Sequence, residues 1–430
     1  MNSQKPRENT ETIGKKDIEI LKELACQVSE IARLPVHTQT ISQWKRNNDL
    51  KPGRPLVWIT EIPWHEVEQS GEIKFECENS FARSIEFNLK TLLYVWNHAR
   101  TDIIIEPVYR IGYVVNDTGF GISPCQEYAS HPPSKNTEVI SRHFIPQIKD
   151  IDDVEKIKFP EISVDWEASK KWAKILDEII GKYLPVELYG IGSIWFAPWD
   201  WLVTIAGVEE SLFSLAARPD FAHAMIGRLV DAWLCRLEQY EKLGILSPNN
   251  GNFRIGSGGF GYTSDLPDIP FSTTGIKAKQ QWGFVTSQIF SEVSPAMHKE
   301  FALNYEKKWL EKFGLTYYGC CEPLHNKIGI LEEIENLRKI SISPRADVKV
   351  AAEKIKNRYV ISYKPNPAVF AVDNWDRNFV KNELRKAIEI MKENGCIVEV
   401  IMKDISTIRY KPQRLKDWTK IAMEVVHQFN

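Results

Sequence analysis

The sequence predicts an α/β protein, a (β/α)8 TIM barrel with an N-terminal helical extension. Three observations carry this reading. From about residue 50 onward, short apolar runs alternate with longer segments of helical periodicity. The short runs are apolar throughout rather than alternately polar, as strands of a parallel sheet covered on both faces are. About eight such units fit the 430 residues, and a closed barrel is the economical way to join about eight of them. A doubly wound sheet is the alternative, but no glycine fingerprint follows the first strand.

The elements follow in order. Thr12 to Leu34 carries apolar residues at helical spacing, whereas Trp44 to Lys51 is polar and reads as a lead-in. Residues 1–50 are therefore expected as the helical extension and 51–430 as the barrel. Pro55 to Thr60 is the first predicted strand, Phe81 to Ala99 a helix, and Asp102 to Glu106 the second strand. Val108 to Phe159 is rich in Gly, Pro, Ser and Asn, a connection long enough to be functional or a small subdomain. A helix at Trp166 to Tyr183, a strand at Pro185 to Gly190, and helices at Val208 to Ala217 and Phe221 to Leu243 come next. Gly251 to Thr263 reads as a mobile glycine-rich loop without the Lys-Ser/Thr ending of a phosphate loop. Strands are expected at Trp282 to Thr286, Phe313 to Gly319, Lys339 to Ser343, Tyr359 to Tyr363 and Cys396 to Met402. Helices between and after them are expected at Ala296 to Phe313, Gly329 to Leu337, Val348 to Ile355, Asn374 to Asn394 and Pro412 to Gln428.

Composition narrows the class. Hydrophobic residues make up 43% and charged residues 26%, the balance of a globular protein. A net charge of −2 gives no footprint for nucleic acid or an anionic membrane. No run approaches the ~18 apolar residues of a membrane span, and the N-terminus lacks a signal-peptide core. Seven irregularly spaced cysteines argue against a disulfide framework and for a reducing, cytoplasmic setting. The sequence leaves a homodimer open.

In a barrel, chemistry sits on the loops after the strands. Glu61, Trp64 and His65 follow the first strand; Glu106, Tyr109 and Arg110 end or follow the second; Trp195, Trp199 and Asp200 follow the third. Gln288 comes next, then Cys320, Cys321, Glu322 and His325, then Ser343, Arg345 and Asp347. Lys364 and Asn366, then Lys403, Asp404 and Thr407, complete the set. Any one of these can be a cap, a core residue or a salt-bridge partner. Their recurrence after nearly every strand points to one centre. Glu61, His65, Asp200, Lys364, Lys403 and Asp404 are its candidate catalytic groups, and Trp64, Trp195, Trp199, Gln288 and Asn366 its candidate substrate contacts. Cys320, Cys321, Glu322 and His325 crowd soft and borderline ligands together, a plausible half of a zinc site. The plain alternative is that the two cysteines are small buried side chains closing a strand.

Tyr318-Gly319-Cys320-Cys321, followed by Leu324 and Ile330-Leu331, resembles the His-x-Cys-Gly segment of the uroporphyrinogen decarboxylase-like barrels. Within that family it is most similar to the cobalamin-linked methyltransferases. Glu61 to His65, Lys339 to Ser343, Ser362 to Pro367 and Val400 to Thr407 extend the resemblance. In the methylcobamide:coenzyme M methyltransferases of that branch, the His and Cys of this segment and a Cys after the last strand hold zinc. Here Cys320 falls on the motif cysteine, Tyr318 where the family has histidine, and Lys403-Asp404 near the late cysteine. No early arginine-rich segment suits a porphyrin's carboxylates. The resemblance implies transfer of a methyl group from a small, for example methoxylated aromatic, substrate to the Co(I) corrinoid of a partner protein in a demethylation system. His65, Lys364, Lys403 or a zinc ion would meet the leaving oxygen. The alternatives are a decarboxylase or other lyase acting on a non-porphyrin acid, and a barrel that binds a corrinoid or aromatic compound without turnover.

Overall fold

The computed structural model describes residues 13–128, 142–270 and 273–429. Two helices open it, α1 (Lys15–Ala32) and α2 (Val36–Asn48). The first buries Leu21, Leu24, Ala25, Val28 and Ala32 along one helical stripe. The second corrects the expected polar lead-in. His37, Thr40, Trp44, Asn47 and Asn48 recur at helical spacing and are all buried, so the inward face of α2 is polar and aromatic. Trp44 is fully enclosed, and its Nε1 donates to the Asp102 carbonyl at 2.8 Å.

The first strand, β1 (Leu56–Ile59), leads through α3 (Trp64–Gln69) to α4 (Ser80–His98). Four short strands follow, β2 (Tyr109–Gly112), β3 (Val114–Asp117), β4 (Gln126–Tyr128) and β5 (Arg142–Phe144), and then β6 (Ile162–Asp165). They break up the connection expected to be irregular; residues 129–141 of it lie outside the described residues. The chain continues with α5 (Trp166–Ile180), β7 (Val186–Tyr189), α6 (Pro198–Ala206), α7 (Val208–Ala217) and α8 (Pro219–Leu243). The C-terminal part runs β8 (Trp282–Val285), α9 (Pro295–His298), α10 (Asn304–Leu310), β9 (Leu315–Tyr318), α11 (Ile328–Leu331) and β10 (Leu337–Ile342). It ends with α12 (Val348–Ile355), β11 (Val360–Tyr363), α13 (Arg377–Glu393), β12 (Ile397–Met402) and α14 (Gln413–Val426).

Six strands form one parallel sheet in the order β1-β12-β11-β10-β9-β8. The β2–β7 pair is also parallel but separate, and β3–β6 and β4–β5 are antiparallel pairs. The helices that cover the sheet satisfy the demand of strands apolar on both faces. The α/β expectation therefore holds, while the described ladders join six strands rather than eight. The expected strand at Asp102 to Glu106 is the clearest departure. Its backbone meets side chains in place of a neighbouring ladder: Trp44 takes the Asp102 carbonyl and Asn252 the Ile104 carbonyl. One strand-like contact survives, from the Asp102 N–H to Val57 O at 2.9 Å.

Gly251 to Thr263 also differs from expectation. It is largely buried, and it lies across the inner face of the sheet rather than moving free of it. The Gly259 N–H donates to Glu399 at 3.0 Å, and Asn48 Nδ2 donates to the carbonyls of Phe260 and Tyr262. A Cβ at Gly258 would meet Glu399 Oε1 and Tyr317 at 2.5 Å, and one at Gly259 would meet Trp44 at 2.3 Å. These glycines serve close approach, not mobility.

Candidate active site

The interior beneath the C-terminal edge of the sheet is polar, and the sequence shows why only in retrospect. Glu399 and Lys339 interrupt the apolar runs of β12 and β10, and both are fully buried. They form an ion pair of 2.8 Å, with Ser362 of β11 donating to the same carboxylate at 2.7 Å. Burial alone would raise the Glu399 pKa, but Lys339 and Ser362 hold it below the ordinary carboxylate value. One residue beyond β11, Lys364 Nζ contacts Tyr317 OH at 2.5 Å, Ser362 Oγ at 2.6 Å and Ser362 O at 3.0 Å. Burial pushes this amine down to about 7, against the opposing pull of Glu399 and Cys320.

Above this layer, the residues that follow three strands meet. After β9, Gly319 takes a φ of 93°, a left-handed turn that suits glycine. It sets Cys320 Sγ 3.4 Å from Cys321 Sγ. After β12, Lys403 reaches both sulfurs, at 3.6 Å for Cys320 and 3.9 Å for Cys321. It also pairs with Asp404 and lies 3.8 Å from Glu61, which follows β1. The S–H of Cys321 and the nearby Lys403 charge draw the Cys320 pKa below the ordinary thiol value, although burial opposes this. The same hydrogen bond and burial raise Cys321. Burial would lower Lys403, but Cys320 and Glu61 outweigh it and keep the ammonium charged. The cluster is thus a buried cation beside one thiolate-prone sulfur and two carboxylates.

Glu61 and Asp404 add backbone strain. Both are non-glycine residues with positive φ, 54° and 56°, and the Asp404 N–H donates to Glu61 Oε2 at 3.0 Å. Such conformations cost about 1–3 kcal/mol each and cluster at functional sites. Glu61 Oε1 accepts from Arg254 Nη1 at 2.6 Å, which brings the glycine-rich loop into the site.

A second group of acids lies behind β8 and β9, with Glu306 and Glu322 wholly buried and Asp200 partly so. Glu322 accepts from Thr286 Oγ1 at 2.8 Å, from the Ser287 N–H at 3.2 Å and from the Cys320 N–H at 2.9 Å. Glu306 accepts from Ser287 Oγ at 2.5 Å and from Tyr318 OH at 2.6 Å. Tyr318 OH also lies 2.6 Å from His298 Nε2. Burial pushes Glu306 up to about 7, Asp200 up to about 6 and His298 down to about 3. Asp200 accepts from Gln288 Nε2 and from the Ile289 N–H, both at 3.0 Å.

The sequence-derived residues therefore divide. Glu61, Cys320, Cys321, Lys364, Lys403 and Asp404 come together at the strand ends. Asp200, Gln288 and Glu322 belong to the acid group behind. Glu322 fixes the Cys320 turn, and no oxygen of it faces the thiols in these contacts. Trp199 is fully buried in α6 and donates to Phe301 O at 2.8 Å, a carbonyl in the π-helical turn at Lys299–Leu303. Trp64 packs edge-on against Phe87 and Tyr94. Trp195 is exposed and lies against Phe284, with ring centres 4.4 Å apart. His65 is half-buried in α3, and Asn366 caps the 3-10 turn at Pro367–Phe370. Among the described residues, no group of three or more His, Cys, Asp or Glu side chains is arranged to hold a metal. Of the four expected zinc ligands, the two sulfurs lie within 4 Å of Lys403, and Glu322 is engaged by Thr286 and Ser287.

The sequence reading assigns no site role to Arg254, Tyr317, Ser362, Lys339 or Glu399. A charge inside an apolar strand run was the available signal for the last two. Two cavities lie away from these residues. A recess of about 360 Å³ between Arg100, Arg377 and Lys416 has matched charges, Arg377 with Asp417 and Lys416 with Glu72. One of about 140 Å³ lies beside Glu106 and Arg110. Convergent, strained chemistry identifies the site better here than cavity size.

No helix among the described residues is long and apolar enough to cross a membrane. The sequence matches no protein-family model and no curated protein. A solved structure, a methyltransferase from Methanosarcina mazei, is similar over 90% of this chain and 98% of its own, with a TM-score of 0.50 and 12% identity. At that identity the likeness concerns the fold.

Proposed function

We propose that this chain is a methyltransferase that takes a methyl group from a small methylated substrate, in a setting where the acceptor is the Co(I) corrinoid of a partner protein. In this reading the sheet and the β2–β7 pair wrap one barrel interior, with the reaction at the C-terminal strand ends. The carrying observation is the Lys403 ammonium, held within 4 Å of both thiols and of the carboxylates of Glu61 and Asp404. The likeness to a methyltransferase fold supports the same reading.

An ether or amine methyl is a poor electrophile, so the leaving atom needs charge stabilisation and a proton. The corrinoid, when docked, supplies the nucleophile. As the C–O bond breaks, its electron pair stays on oxygen, and Lys403 offers that oxygen a permanent charge. Lys364, balanced near neutrality, donates the proton. Glu61 and Asp404 aim Lys403, and Cys320, when ionised, balances its charge. No step runs through zinc. A reducing cytoplasmic setting would keep both thiols free.

The test mixes the protein with a reduced corrinoid protein and methoxyarenes, methylamines or methyl thioethers, and follows the corrinoid absorbance. Methylation that falls ~10²–10⁴-fold in Lys364→Met would support the assignment of the proton donor. No methylation across the panel, with CO₂ released from an acid substrate, would move the protein to the lyases.

A further inference from the structure

The guanidinium of Arg254 is only partly used. Nη1 is committed to Glu61 Oε1 at 2.6 Å. Nε and Nη2 are buried and have no hydrogen-bond partner among the described residues. Arg254 is the one described arginine with two buried nitrogens in this state. Nε and Nη2 lie on the same edge of the planar group, so their N–H bonds run side by side and match the two oxygens of a carboxylate. Buried donors are rarely left unmet, so such a pair calls for an acceptor.

The surroundings hold this fork in place. The backbone around it is clamped as a tight turn, with Arg254 bridged to Phe260 and the Ile255 N–H donating to Gly259 O at 3.0 Å. The guanidinium carbon lies 5.5 Å from the Trp58 ring centre. The side chain as a whole remains 27% exposed while Nε and Nη2 themselves are enclosed, so a ligand reaches the fork by displacing what covers it. Contacts run from Arg254 through Glu61 and Lys403 to Cys320.

We infer that the fork of Arg254 binds a carboxylate on the substrate, so the methyl donor is a small acid, such as a methoxylated aromatic carboxylate, rather than a neutral methoxyarene. The inference rests on the reading of the strand ends as the substrate site. Glu61 has a second role here: it occupies one edge of the guanidinium and leaves the other for the ligand.

Calorimetric titration of the full-length protein with 4-methoxybenzoate and with 4-methoxybenzamide tests this without turnover. The acid is expected to bind at least about tenfold more tightly than the amide, as a charged two-point contact does. Arg254→Lys keeps a charge for Glu61 but removes the fork, and should abolish most of that preference, as should Arg254→Met. Equal binding of acid and amide, no binding of the acid at millimolar concentration, or a preference that survives Arg254→Met would overturn the inference. The wild-type comparison stands even if a variant fails to fold. Acid-selective binding that depends on Arg254, without methyl transfer, supports the inference and counts against the proposed function. Methyl transfer from neutral methoxyarenes with no acid preference does the reverse.

Discussion

Replacing Lys403 with methionine should make Cys320 markedly less reactive at neutral pH. The ammonium sits 3.6 Å from Cys320 Sγ, and both groups are almost wholly enclosed. Opposite unit charges about 4 Å apart attract by ~4 kcal/mol at an effective dielectric constant of ~20. Asp404 and Glu61 spend part of the same charge, so roughly 1.5–3 kcal/mol should reach the thiolate. At ~1.36 kcal/mol per tenfold change, the thiolate fraction should fall about 10- to 100-fold at a pH below the thiol's titration. The direction is fixed, because loss of a cation disfavours an anion. Alkylation by iodoacetamide across a pH series, read at the Cys320 peptide by mass spectrometry, separates this slowly labelled sulfur from the more exposed Cys26, Cys125 and Cys235. A Cys321→Ser background keeps a hydrogen-bond donor beside the sulfur. If the pH midpoint of Cys320 labelling stays put in Lys403→Met while Tm shows a folded protein, the electrostatic account of the thiol pair is wrong.

Two other outcomes are expected. Glu399→Gln or Lys339→Met alone should destabilise the fold by about 3–5 kcal/mol, while Lys339→Met combined with Glu399→Leu should recover much of the loss; equal damage in single and double variants, by urea titration, would show that the pair is not the source. Lys364 is shifted from 10.5 down to about 7 on folding, so between these values the unfolded chain binds the extra proton and stability from this group rises with pH. As the proton donor it also makes the rate fall as pH rises through about 7. Thermal unfolding across pH 6–10 with Lys364→Met should lose that stability slope, and an unchanged slope would assign it elsewhere.

Much of the site was legible in the residues just past the strands. Glu61, Cys320, Lys364, Lys403 and Asp404 each sit one to two residues beyond a predicted strand, and parallel strands deliver their ends to one edge. The residues whose role depends on a distant partner were not legible in this way. Trp199 looked like a strand-end aromatic, but α6 turns it into the core towards Phe301. Glu322 looked like a metal ligand because it stands beside two thiols; Thr286 and Ser287, far off in sequence, claim it. The glycines within residues 251–263 suggest mobility, since nothing local reveals that Phe284 presses against Gly256, Glu399 against Gly258, Trp44 against Gly259 and Asn249 against Gly261. Arg254 was hidden for the same reason.

The position of β12 bears on how the chain reaches this state. Among the described residues β1 has its only ladder partner in β12, so the first strand waits for the last. Asn47 Nδ2 bonds Val398 O across 351 positions, and Gly259 bonds Glu399 across 140. Closing such long loops is slow, because the entropy is lost before the contacts form. On the ribosome, a nascent chain holding everything up to β11 would carry Lys339 without its counter-charge and β1 with a bare edge. Such an intermediate is open to aggregation, and refolding should depend strongly on chaperones or dilution until residues 397–402 are in place.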